Sequence, residues 1–202
     1  MGGQSFVCPN RTEPGVVQHI AFGKIVMGNL GRPPTERLRA IVEMFKSTRI
    51  PCEVAESLEQ GQWEKLVWNI PFNGLGVAAT AGLEALDSAG EKMPDKPGPV
   101  LTTEQLLGNS QWETWVRGLM AEIINAANAK GLDIDSGLLE RMLEYTRNMG
   151  EYRASALIDF ERGQPLELES IFLEPLRQAS IAGIDAPRLE ALCAVLSKLD
   201  RH

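Results

Sequence analysis

The sequence predicts a mainly α-helical protein with a small β-containing piece at its N-terminal end. Three observations carry that expectation. From about residue 58 onward apolar residues recur at helical spacing, as in Val116, Leu119, Met120, Ile123, Ile124 and Ala127. Start and stop signals punctuate the same region, with Thr102 and Gln105 or Ser110 and Glu113 as capping boxes and Lys130-Gly131 as a stop. The β-branched residues, by contrast, gather near the N-terminus, in Val16 to Gly28.

Taken in order, Val16–Gly28 reads as a hairpin or two short strands, with a glycine in the middle. Pro33-Pro34-Thr35 then starts a helix, with Thr35 as its N-cap and Leu38, Ile41, Val42 and Phe45 as its apolar stripe. Ile50–Ala55 reads as a further strand. This β-β-α-β piece has only three short strands and looks like the end of a larger sheet. A long helix follows to about Ala81. Between Asp87 and Thr102 lies a Pro/Gly-rich loop, Met-Pro-Asp-Lys-Pro-Gly-Pro, expected to be mobile. A short helix starts at Thr102 and a longer one at Ser110, ending at Lys130-Gly131. Helices are expected over 136–149, 151–161, 167–182 and 187–200. The boundary between the two parts falls at 57/58.

Composition narrows the function. The 202 residues suffice for one sizeable domain, or one domain with a piece of another. A net charge of -7 argues against nucleic acid as the main partner, because phosphate binding needs clustered Lys and Arg. No apolar run approaches the roughly 18 residues of a membrane helix. No basic stretch followed by an apolar one marks a secretory leader, and Met1-Gly2-Gly3 fails as a myristoylation start because position 6 is Phe6. A cytoplasmic protein without membrane or nucleic-acid partners is expected. Cys8, Cys52 and Cys193 are an odd, scattered set that suits reduced thiols. His19 and His202 are too isolated to suggest a metal centre.

Trp63-Glu-Lys-Leu-Val-Trp-Asn-Ile-Pro-Phe-Asn-Gly74 carries the strongest chemical signal. Lys65, Asn69 and Asn73 are four residues apart, so on a helix they share one face. Leu66, Val67, Trp68, Ile70 and Phe72 surround them. An amine and two carboxamides in so apolar a helix need partners, and a row of donors beside an apolar body suits an oxygen-rich small molecule. A lone Lys on such a helix snorkels to solvent instead, and a lone Asn caps locally. Pro71 removes one helical hydrogen bond, to Val67, and predicts a kink that rotates Asn73 relative to Asn69. The second informative stretch is Ser155-Ala-Leu-Ile-Asp159-Phe-Glu-Arg-Gly163-Gln-Pro-Leu-Glu167. There one helix ends near Arg162-Gly163, and the next begins after Pro165 with Glu167 in its first turn, where an acidic residue also complements the helix dipole.

Together, Trp-x-Lys-x-x-x-Asn-x-x-x-Asn and Ser-x-x-x-Asp-x-x-x-Gly-x-x-x-Glu resemble the C-terminal domain of ketopantoate reductases (2-dehydropantoate 2-reductases). The resemblance spans most of the chain. It implies a helical domain like the C-terminal domain of 6-phosphogluconate dehydrogenase over 58–202, and a remnant of a Rossmann-like nucleotide-binding domain over 1–57. It implies an NADPH-dependent oxidoreductase that reduces a 2-keto acid, typically ketopantoate to pantoate, in pantothenate synthesis. By resemblance Lys65 is the catalytic proton donor. Asn69, Asn73 and Ser155 bind the substrate, and Glu167 faces the cofactor.

The family's Gly-rich strand–turn–helix is not found in these residues. Gly74-Leu-Gly76-Val-Ala-Ala79 is the nearest match, but it follows a helix, so its glycines are expected to permit close packing or a turn. The chain is therefore expected to be a fragment or a natural short homologue, inactive alone, with NADP mostly bound by a domain it lacks. A homodimer is a further expectation, from the apolar surface a missing domain leaves. The alternatives are a non-catalytic 2-keto acid-binding domain and a helical dimerisation domain without cofactor binding.

Overall fold

The computed structural model describes residues 1–200, with the side chains of 8–12 and 20–22 excepted. The chain divides into two compact units, Met1–Gln62 and Trp63–His202.

In the first unit, strand β1 (Gly2–Glu13) runs antiparallel to β2 (Val16–Gly28). Pro14-Gly15 turns the chain between them, Gly15 at φ +80°, a conformation that glycine adopts without strain. Helix α1 (Glu36–Ser47) then crosses to β3 (Cys52–Val54), which pairs parallel with β2 through Ile25–Cys52 and Met27–Val54. The sheet order is β1-β2-β3. Thr35 caps α1 by accepting from the Leu38 amide at 3.3 Å, as its position predicts. Leu38 and Val42 are the buried part of the expected stripe.

Two expectations for this region are corrected. Val16–Gly28 is one strand of thirteen residues, not a hairpin or a pair of short strands. Its central glycine, Gly23 at φ +140°, is the extra residue where pairing shifts from Phe6–Lys24 to Val7–Phe22. It forms a β-bulge, which bends a strand without ending it. The strand's partner is the twelve-residue β1, a segment to which the sequence reading assigned no strand.

Helix α2 (Leu58–Ala78) leads into the second unit, which is helical. There follow α3 (Leu83–Asp87), α4 (Thr103–Leu107), α5 (Ser110–Ala129), α6 (Leu138–Arg147), α7 (Ser155–Glu161), α8 (Glu174–Ile181) and α9 (Pro187–Leu199). A π-helical turn, Glu169–Leu173, runs directly into α8. The stripe Val116, Leu119, Met120, Ile123, Ile124 and Ala127 of α5 is buried throughout. It shares one core with Val67, Ile70 and Leu75 of α2 and with Leu189, Leu192, Val195 and Leu196 of α9.

The capping box at Thr102 and Gln105 is present in both directions. The second is not: Asn109 caps α5, accepting from the amides of Gln111 and Trp112, and Ser110 is already helical. Gly131 at φ +85° follows the C-cap Lys130. The Pro/Gly-rich loop expected to be mobile is tied down at several points. Gly98 donates to the Thr80 carbonyl at 2.7 Å and Leu101 to that of Gly76 at 3.0 Å. The Lys198 ammonium donates to the Gly90 carbonyl at 2.8 Å.

Candidate active site

The site is built on α2. Lys65 and Asn69 are half-buried one turn apart, and Asn73, one turn further, is buried with 3% of its surface exposed. The helix stays continuous through Pro71, whose missing N–H leaves the Val67 carbonyl without its helical donor. The packing of Val67, Ile70, Phe72 and Leu75, all fully or nearly fully buried, outweighs that loss. Asn73 Nδ2 donates to the Asn69 carbonyl, one helical turn back, at 3.1 Å.

Asn73 also joins α2 to α7. Its Oδ1 accepts from the Ala156 backbone N–H at 3.0 Å and from Ser155 Oγ at 3.4 Å. The residue at the N-cap of α7 is Ala154, which offers no side-chain acceptor, so the cap comes from another helix. Ser155, the first residue of α7, is itself exposed. Hydrogen bonds thus link Asn69, Asn73 and Ser155, and Lys65 lies one turn before Asn69.

The back of the site is aromatic. The Trp68 ring lies 4.9 Å from that of Phe72 and 6.0 Å, edge-on, from that of Tyr152. Trp68 Nε1 donates to Thr146 Oγ1 at 2.9 Å, and Thr146 donates in turn to the Met142 carbonyl at 2.6 Å. Thr146 is 1% exposed and pins α6 to α2. Sequence reasoning missed it, although an indole N–H in so apolar a helix signals that a partner must exist.

The spacing Ser155, Asp159, Gly163, Glu167 is a helix with its two ends. Ser155 opens α7. Gly163, at φ +67°, closes it, with the Gln164 amide donating back to the Asp159 carbonyl at 2.8 Å. Glu167 stands just before the next helical segment rather than inside its first turn, its carbonyl accepting from the Ile171 amide at 3.1 Å. Its side chain is exposed and lies outside the bonded set of Asn69, Asn73 and Ser155.

Residues 100–200, half of the chain, match the family described as ketopantoate reductase PanE/ApbA C terminal. The chain belongs to the ketopantoate reductase family. It is 33% identical over 207 residues to a 2-dehydropantoate 2-reductase of a Nostoc species, covering 99% of this chain and 58% of that relative. The crystal structure of 2-dehydropantoate 2-reductase from Geobacter metallireducens GS-15 superposes with a TM-score of 0.81 at 38% identity, covering 98% of this chain and 60% of that one. That of Methylococcus capsulatus gives 0.81 at 30% identity, covering 98% and 57%. The chain therefore spans less than two thirds of the reductases it matches. Its mainly helical architecture is that of the family's C-terminal domain.

Among the described residues, a ketopantoate reductase's dinucleotide phosphates find no cradle at Gly74–Ala79. Those glycines lie inside α2. A Cβ at Gly74 would come within 2.6 Å of Leu192 Cδ2 and 2.8 Å of Phe172 Cε1. One at Gly76 would come within 2.5 Å of Leu157 Cδ1 and 2.9 Å of the Leu101 carbonyl oxygen. The space beside both is filled by protein, and the glycines serve close packing.

Proposed function

We propose that this chain supplies the substrate-binding, proton-donating side of a ketopantoate reductase, acting on ketopantoate or a related 2-keto acid. Lys65 donates the proton. Reduction of a ketone builds negative charge on its oxygen, and an ammonium aimed at that oxygen stabilises the charge and supplies the proton. Asn69, Asn73 and Ser155 form the neutral polar side that orients the hydroxyl and carboxylate end without cancelling the lysine's charge. Glu167, exposed where the next helix begins, is the residue we assign to the cofactor side. NADPH is the reductant of the full-length protein in this reading. The phosphate site is not formed by Gly74–Ala79, so residues 1–202 alone bind keto acid without turning it over.

The observation that supports this reading best is the bonded link from the lysine-bearing face of α2, through Asn73, to Ser155 on α7. Calorimetric titration of the chain with ketopantoate tests it. Lys65→Ala removes one charge-assisted hydrogen bond, worth about 1.5–3 kcal/mol. The expected loss of affinity is therefore about ten- to a hundredfold. Unchanged affinity would remove Lys65 from the site.

A further inference from the structure

We infer that the cavity at the C-terminal end of α7 is a second ligand site, suited to a small organic ammonium ion with an apolar body; the inference is independent of the keto-acid reading of α2. The cavity has a volume of about 450 Å³, within the usual range for small-molecule pockets. Its walls are apolar, formed by Phe160 of α7, by Pro97, Pro99 and Val100 of the Pro/Gly-rich loop, and by Leu199 of α9. The loop wall is tied in place, since the Gly98 amide donates to the Thr80 carbonyl at 2.7 Å, and the buried Thr80 itself lines the cavity. α7 runs from Ser155 to Glu161, so the cavity starts about 9 Å along that helix from the serine, at roughly 1.5 Å per residue.

The polar part of the lining selects a cation. It contains the carboxylates of Glu161 and Asp200, and among the described residues it holds no lysine or arginine. Arg162 and Lys198, which adjoin lining residues in sequence, lie outside it, and the Lys198 ammonium is bonded to the Gly90 carbonyl. Glu161 is already paired with Arg153, so the ligand's charge is assigned to Asp200. One oxygen of Asp200 accepts from the Leu166 amide at 3.3 Å, which holds the carboxylate in place; the other is the oxygen that meets the ammonium. Three helices also end here. Thr80 lies two positions past the last residue of α2, Phe160 and Glu161 close α7, and Leu199 closes α9. The carboxyl end of a helix carries partial negative charge, and α2 and α7 have no basic residue in the last turn to offset it. The same charges repel an anion such as a keto acid.

NMR titration of the chain with phenethylammonium tests this, beside 3-phenylpropionate, a probe of similar size and opposite charge. The cation should shift the amides of Gly98, Val100, Gly163 and Gln164 saturably, with a Kd at or below about 1 mM, and the anion should not. Asp200→Asn keeps an acceptor for the Leu166 amide and removes the charge. It should weaken the cation about tenfold, the low end for a charge-assisted hydrogen bond, because Asp200 is only half-buried. Gln164→Lys, at an exposed lining position, sets a competing ammonium at the cavity mouth and should abolish binding. No saturable shift at these amides overturns the inference. Equal binding of the anion also overturns it, since the cavity would then be a plain apolar slot. So does parent affinity for the cation in either variant.

Discussion

Gly76→Ala perturbs the contact that brings α7 to the site. The added methyl would lie 2.5 Å from Leu157 Cδ1 and 2.9 Å from the Leu101 carbonyl oxygen. Neither neighbour yields easily. Leu157 is 1% exposed, and Leu101 is tethered by its own amide to the Gly76 carbonyl at 3.0 Å. Overpacking of this kind costs about 1–3 kcal/mol. Alanine recovers about 1 kcal/mol over glycine inside a helix. With two contacts under 3.0 Å the overpacking cost falls in the upper part of its range, about 2–3 kcal/mol, so the net loss is about 1–2 kcal/mol, or a fall of several degrees in melting temperature at roughly 2–4 °C per kcal/mol for a chain of this size. Gly61, on the same helix, provides the control. A Cβ there meets nothing closer than Gln4 Oε1 at 3.5 Å, an ordinary contact, so Gly61→Ala should gain up to about 1 kcal/mol. Urea denaturation of the two variants beside the parent should give opposite signs for the same substitution on one helix. A Gly76→Ala protein as stable as the parent would refute the close-approach argument.

Cap placement on α5 gives a second contrast: Asn109→Ala should lose about 1 kcal/mol, whereas Ser110→Ala should be near neutral, because only Asn109 accepts from the first-turn amides. Equal losses by denaturant titration would return the cap to Ser110. Burial pushes the Cys193 thiol from an ordinary 9.0 up to about 12, so the fold favours its protonated form. The stability linked to it is complete below pH 9 and drains away as pH rises toward 12. Cys193→Ala should flatten that alkaline decline in melting temperature, and an unchanged slope would show that other groups cause it.

The helical unit was legible because its signals are local. The α5 stripe at spacings of three and four, the Thr102–Gln105 box and the Gly131 stop each need only a few neighbouring residues to be read. The first unit was harder. Gly23 looks like a turn and is a bulge, because only the facing strand reveals the one-residue slip between Phe6 and Val7. β1 was overlooked since Gly2, Gly3, Pro9 and Asn10 are poor strand formers, yet an edge strand tolerates proline with its missing donor. The Pro14-Gly15 pair was the unused clue. In the site, the shared face of Lys65, Asn69 and Asn73 followed from spacing alone. Which of the three is buried, and what it is bonded to, did not.

Caps supplied from a distance explain that gap. α7 and α9 both begin at alanines, Ala154 and Ala186, that have no side-chain acceptor. Their first-turn amides are satisfied by Asn73 of α2 and by the buried carboxylate of Glu122 on α5, which accepts from Arg188 and Leu189 at 3.1 and 3.0 Å. A local reading finds weak helix starts at 154 and 186, and an unexplained polar residue in each of two apolar helices. Each weak start and each stranded polar group resolves the other, because a buried amide or carboxylate needs donors and a helix start needs acceptors. For α7 this makes the placement of Ser155 a property of packing. The hydroxyl stands beside Asn73 only while Gly76 admits Leu157 and Asn73 reaches Ala156. Substitutions at those two positions should therefore shift Ser155.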